Sequence, residues 1–179
     1  MKKILTFNVF RALRDLPRMK EAGTDYALVE FVSPPSEPLW AIFEEDNPRH
    51  EFFCFDDVMS PWAVSTASLA GYQAPTDDDI QRLLDASDTL LEAEYVYCHC
   101  EAGISRSTAA AYILHCIDLG PGFEEESLFK VLLLNRDARP SLLMVTIADR
   151  LLGRDGKMVD GLQKLDEFRS KIRGNTYRI

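Results

Sequence analysis

The 179-residue sequence predicts an α/β domain with a mostly parallel central sheet flanked by helices. Three observations predict it. Short apolar or aromatic runs alternate along the chain with longer segments of helical periodicity. The run Tyr95-Val96-Tyr97-Cys98 passes through a short loop into an Ala-rich segment, the order of a strand–turn–helix unit in a parallel sheet. The length, with 46% hydrophobic residues, suits a single domain over 1–179 with an ordinary core.

The elements follow in order. Ile4 to Phe7 reads as a first strand and Arg14 to Glu21 as a short helix. Tyr26 to Val32 is an apolar second strand, stopped by Ser33-Pro34-Pro35. Leu39 to Glu45 reads as a helix, and the aromatic-rich Glu51 to Phe55 as a third strand ending at Asp56-Asp57. Residues 58–76 carry no charge and are interrupted by Pro, Gly and Ser, the character of a long functional connection. Thr76 and Asp79 form a capping box for a helix reaching Glu94, with Asp77, Asp78 and Asp79 in its first turn. Tyr95 to Cys98 is a buried strand and Arg106 to Ile117 a helix whose alanines permit close packing on a sheet. Helical patterns then cover Glu124 to Asn135, Leu142 to Leu152 and Met158 to Ile172.

Charge narrows the choice of partners. The net charge is -9, and residues 25–95 hold 16 acidic against 2 basic side chains. Such a surface suits neither nucleic acid nor an anionic membrane, both of which select a basic face. No apolar run approaches the ~20 residues that cross a bilayer. Asn8 and Arg11 interrupt the apolar start, and four irregularly spaced Cys suit a reducing compartment. A cytoplasmic protein is expected.

The chemistry is concentrated in Cys98-His99-Cys100-Glu101-Ala102-Gly103-Ile104-Ser105-Arg106-Ser107-Thr108. At a strand-to-helix turn the first helical N–H groups point into the loop, and with the positive helix end they form an anion site. Successive amides from Glu101 to Arg106 can wrap phosphoryl oxygens as a nest. Gly103 supplies the backbone freedom of a tight loop, and Arg106 clamps two oxygens in a fork that Lys lacks. Cys100 then lies beneath the bound anion, in a field that favours thiolate and so nucleophilic attack. Ser107 is placed to donate a hydrogen bond to the sulfur and ease its departure. His99 is expected to brace the loop through its ring nitrogens. A zinc site from Cys98, His99, Cys100, His115 and Cys116 is disfavoured because the spacings do not match known ligand sets, and no metal or cofactor is expected.

His-Cys-x-x-Gly-x-x-Arg-[Ser/Thr] arises by chance in on the order of one chain in 10,000 or fewer. It resembles the signature of the cysteine-dependent protein tyrosine and dual-specificity phosphatases. HCEAGISRSTAAAYI and ADRLLGRDGKMVDGL (148–162) look like small bacterial predicted tyrosine phosphatases, with coverage good from about Glu51 to Leu162. Arg139-Pro140-Ser141 has Ser where the family often has Asn ahead of a helix. The resemblance implies a dual-specificity-phosphatase-like three-layer domain that hydrolyses phosphomonoesters through a cysteinyl-phosphate. It also implies an Asp that serves as general acid and then base. Asp57, in Phe55-Asp56-Asp57-Val58, matches the Phe-x-Asp segment of the small dual-specificity enzymes, with Asp56 as its rival. Asp57 precedes Cys100 by 43 residues, more than is usual there, and the uncharged 58–76 accounts for the excess.

A phosphorylated protein or peptide, phosphotyrosine first, is the expected substrate. Glu101, Ala102, Ile104 and Ser105 include no base, unlike the loops of inositol-lipid phosphatases, and Trp62 and Tyr72 are candidates to line the pocket. The alternative is a phosphopeptide-binding regulatory module with incidental turnover. Removal of the 5′-phosphate of RNA is disfavoured by the charge. Cys54 is the candidate to trap an oxidised Cys100 as a disulfide, provided its strand neighbours that of Cys98.

Overall fold

In the computed structural model, residues 3–36 and 49–175 are described. Strands β1 (Lys3–Asn8), β2 (Tyr26–Val32), β3 (His50–Cys54) and β4 (Tyr95–Cys100) form one sheet in the order β1-β4-β2-β3. Every neighbouring pair is parallel, so the expected mostly parallel sheet is wholly parallel among the described residues. β4 is enclosed between β1 and β2, and its residues from Val96 to Cys100 are buried. This is why β2 and β4 read as continuous apolar runs rather than alternating ones: helices cover both of their faces.

One face is covered by α1 (Val9–Glu21), whose Ala12 and Leu16 pack against Phe7, Tyr26, Leu28 and Tyr97. This helix begins five residues before the predicted start. Asn8 acts as its N-cap, its side chain accepting from the Arg11 amide at 2.8 Å. The expected helix over 39–45 lies outside the described residues.

The other face carries the main core. A short 3-10 turn (Pro61–Ala63) and α2 (Val64–Leu69) occupy the uncharged connection, which is therefore partly helical. The helix α3 (Asp77–Glu92) opens with the predicted Thr76–Asp79 capping box. At the centre is α4 (Arg106–Leu119), with every residue from Arg106 to Cys116 buried. A helix buried on all sides needs small side chains where it meets the sheet, and Ala109, Ala110 and Ala111 supply them.

The C-terminal third comprises α5 (Glu124–Leu134), α6 (Leu142–Leu151), α7 (Lys157–Gln163) and α8 (Leu165–Asn175). The single helix expected over 158–172 is two. Gly161 sits where a Cβ would lie 2.5 Å from the Tyr112 hydroxyl, so the tip of the Tyr112 side chain reaching out from α4 abuts the backbone of α7. The chain then turns at Lys164 so that Phe168 can pack edge-on to Phe129 of α5, centroids 5.8 Å apart. The ADRLLGRDGKM segment has a structural role here. The Asp149 carboxylate accepts from the Gly156 and Met158 amides, both at 2.7 Å, and Arg154 pairs with buried Glu124 at 3.2 Å.

The parallel strands end together, so 9, 33–36, 55–60 and 101–105 gather at one edge of the sheet, the usual position of a ligand site in such folds. The same topology separates Cys54 from Cys100. β3 pairs with β2 and not with β4, so β2 stands between them. At ~4.8 Å per strand their backbones are about 10 Å apart across the sheet. A disulfide requires roughly 7 Å or less. Cys54 is an exposed edge residue, and the protective disulfide expected of it does not fit the fold.

Candidate active site

The loop from Glu101 to Ser105 is fixed by its carbonyls. The Glu101 carbonyl accepts from the Val9 amide at 3.2 Å, and that of Gly103 from Asn135 Nδ2 at 2.8 Å. The Ile104 carbonyl accepts from the Arg139 amide at 2.8 Å, and that of Ser105 from Ala109 N at 2.9 Å. Among the described residues the amides of Ala102 to Ser105 donate no hydrogen bond. Peptide planes whose carbonyls face the protein turn their N–H groups toward the loop's interior. These N–H groups are left unpaired beside the N-terminus of α4, the arrangement an anion nest requires.

Gly103 is indispensable to this shape. Its φ is +71°, and a Cβ there would lie 2.6 Å from Asn8 N and 2.7 Å from Phe7 C, both backbone atoms that cannot step aside. The loop is pressed against the end of β1. Asn135 completes the brace by also donating to Thr6 Oγ1 at 2.9 Å. Sequence reasoning missed this amide, because it looked for one at position 141. Ser141 instead caps α6, accepting from Met144 N at 3.4 Å.

Cys100 ends β4 at the floor of the loop, 1% exposed, and its Sγ lies 3.2 Å from Ser107 Oγ. Two other cysteines are chemically quiet: burial pushes the thiol of Cys98 far up and that of Cys116 up to about 11. Arg106 is 2% exposed. Its Nη1 donates to the Phe55 carbonyl at 2.7 Å and to Ser33 Oγ at 3.1 Å, and Nη2 lies 3.5 Å from Glu101 Oε2. Its Nε is buried without a partner. A buried unpaired donor costs about 1–3 kcal/mol, and this one is free to bond a ligand held in the loop.

The two neighbouring aspartates have different surroundings. Asp57 is exposed, and its Oδ1 accepts from Ser105 Oγ of the phosphate loop at 2.6 Å. Asp56 turns away. Its carboxylate accepts from Gln73 N at 2.8 Å while its own amide donates to the Gln73 carbonyl at 2.7 Å, a clasp that closes the 56–73 connection.

His99 faces the sheet rather than the loop. Its Nε2 lies 3.4 Å from Oε1 of Glu30, close enough for electrostatic attraction but misaligned for a hydrogen bond. Glu30 is wholly buried on β2, and its Oε2 meets His50 Nε2 at 3.1 Å. A buried carboxylate costs several kcal/mol if uncompensated, and two imidazoles from the adjoining strands surround this one. Neither Glu30 nor His50 was singled out from sequence, since each reads as an ordinary strand residue.

Two cavities adjoin the loop. One, of about 620 Å³, is lined by Ser33, Asp56 and Asp57 and by Met59, Ala67 and Tyr72 of the uncharged connection. Trp62, expected to line the pocket, is 77% exposed and stands outside that lining. The second, of about 610 Å³, lies on the opposite flank, beyond Ile104.

No protein-family model and no curated protein matches the chain. Solved structures do. It is similar to the PTP-2 phosphatase of Cydia pomonella, with a TM-score of 0.57 and 16% identity, covering 84% of this chain and 86% of that one. It is also similar to Tk-PTP in its active form, with a TM-score of 0.51 and 16% identity, covering 84% and 90%. The likeness is one of fold: the chain shares the α/β architecture of these two phosphatase structures, the fold class expected from the sequence.

Proposed function

We propose that the chain is a cysteine-dependent phosphatase of the dual-specificity-like type, acting on phosphotyrosine in proteins or peptides. The observation that carries this reading is the phosphate loop. Its carbonyls are tied outward, the partnerless Nε of Arg106 is buried, and Cys100 lies at its base.

The Cys100 sulfur attacks phosphorus as the ester P–O bond breaks, forming phosphocysteine. The loop amides and Arg106 hold the equatorial oxygens, where negative charge must be stabilised. Asp57 gives its proton to the departing oxygen and, as carboxylate, takes one from the water that attacks phosphocysteine. Ser107 donates to the sulfur as it leaves. His99, with Glu30 behind it, positions the end of β4 from which Cys100 projects. The fold-level likeness to the PTP-2 phosphatase and Tk-PTP structures agrees with this reading.

Release of p-nitrophenol from its phosphate ester tests it. Wild-type protein should turn over in the presence of chelator, and Cys100→Ser should lose at least about 10⁴-fold, the scale of removing a covalent nucleophile. Because the nest is backbone, Cys100→Ser should still bind vanadate. Phosphate binding with no turnover in the wild type would favour the phosphopeptide-binding module instead.

A further inference from the structure

The cavity of about 620 Å³ beside the loop differs in character from the chain around it. Residues 25–95 hold 16 acidic side chains, yet 58–76 hold no charge. Of the nine large apolar side chains exposed among the described residues, Met59, Trp62, Leu69 and Tyr72 all fall within 59–72. Apolar surface gathered in one place marks an interaction site, whereas scattered apolar residues need no explanation. Met59 and Tyr72 line the cavity, and Ala63, Thr66, Ala67 and Ala70 supply much of the rest. These four recur every three or four residues through the 3-10 turn and α2, so they share one face. Ala63 and Ala67 also pack on the main core. The wall is therefore anchored, and its small side chains leave the space open.

The cavity is continuous with the proposed site of chemistry. Two residues of its lining touch the loop directly: Asp57 accepts from Ser105 Oγ at 2.6 Å, and Ser33 Oγ accepts from Arg106 Nη1 at 3.1 Å. No base lines it. Its two carboxyl groups are engaged, Asp57 with Ser105 and Asp56 with the Gln73 amide at 2.8 Å. A cationic occupant would find no uncommitted carboxylate, and an anionic one would meet two acids. An apolar occupant meets alanine, methionine and tyrosine. The volume falls within the ~300–1,000 Å³ of pockets that hold a whole small ligand, more than one phenol ring fills.

We infer that this cavity is an apolar side-chain subsite: the substrate carries an aliphatic or aromatic residue, within about two positions of the phosphotyrosine, that seats against Met59, Ala67 and Tyr72. An extended chain advances ~3.3–3.6 Å per residue, so a neighbour of the residue held in the nest reaches the wall next to Asp57. The inference rests on the phosphatase reading for which group occupies the nest.

The test measures kcat/KM on p-nitrophenyl phosphate and on phosphotyrosine peptides flanked by Gly, Leu, Phe, Lys or Glu, before or after the phosphotyrosine. Wild type should favour the Leu or Phe peptide over the Gly peptide by about 10-fold or more on one side, chiefly through KM, as burial of one apolar side chain predicts. The preference should persist as salt rises, which an ionic one would not. Ala67→Leu fills the space and should bring the apolar-to-Gly ratio to about one. Thr66→Glu charges the same wall from an exposed position that the fold tolerates. It should lower the apolar-to-Gly ratio and raise the Lys-to-Gly ratio. The inference is overturned if active wild type shows no apolar preference, if it prefers the Lys or Glu peptide, or if either variant keeps the wild-type ratio. If p-nitrophenyl phosphate is not hydrolysed, it is the catalytic reading that fails. Fluorescence anisotropy of the same peptides on wild type and both variants then decides the subsite by the same ratios.

Discussion

The loop 101–105, proposed to hold phosphate, and the connection 55–72, proposed to carry the acid, face each other across one edge of the sheet, and they are held in opposite ways. Residues 101–105 lie between the buried strand β4 and the buried helix α4, with three carbonyls bonded to other segments and a glycine wedged against β1. Residues 55–72 leave the edge strand β3 and present Met59, Trp62, Leu69 and Tyr72 to solvent. They are fastened at a few points: the Asp56–Gln73 clasp, the Leu143 amide on the Met59 carbonyl at 3.0 Å, and the Ser105–Asp57 bond. The difference suits the two tasks proposed for them. Stabilising a phosphoryl dianion needs dipoles fixed beforehand, whereas donating a proton to varied leaving groups needs one carboxyl and an adaptable wall.

The sharpest way to break this contrast is to disturb the rigid side. Gly103→Ala has no room at the backbone of Phe7 and Asn8 and forces Ala into positive φ. The loop must distort, so turnover of p-nitrophenyl phosphate should fall about 1,000-fold or more, as expected when preorganised donors are displaced. Vanadate affinity should fall with it, and unchanged affinity would show that the loop does not need its observed shape.

On the adaptable side, Asp57→Asn should lower kcat by about 100-fold and flatten the basic limb of the pH profile, with a smaller loss for substrates with good leaving groups. Asp56→Asn should instead lower Tm by loosening the clasp while keeping the pH profile. If the two variants exchange these behaviours, Asp56 is the acid.

Asn135→Ala removes the brace shared by Gly103 and Thr6. Its effect should be milder, about 10-fold in kcat/KM with a small loss of stability, since each of the two neutral hydrogen bonds lost is worth about 1 kcal/mol. A Gln at 135 has the same amide at the wrong reach and should not rescue it.

Local patterns were legible because their physics is local. The Thr76–Asp79 capping box, the strand Tyr26–Val32 and the glycine and arginine spacing after Cys100 each act within a few residues. Boundaries failed where a distant partner decided them. The α7–α8 turn answers to Tyr112 and Phe129, and the start of α1 depends on one Asn side chain read as an interruption. Asp57 was preferred over Asp56 on motif position alone, because their different surroundings depend on Gln73 and Ser105, residues 17 and 48 positions away.

The sequence by itself determined the α/β alternation and the strand–loop–helix unit proposed as an anion nest, since the direction of unpaired amides and helix-end charge follow from short-range backbone geometry. Only the tertiary structure decided the strand order β1-β4-β2-β3, and with it the separation of Cys54 from Cys100. It also decided the Glu30–His50–His99 cluster, the Asn135 brace and the cavity walled by α2. Each of these joins residues from different elements. Such contacts depend on which strands and helices become neighbours, and that is settled by packing of the whole core.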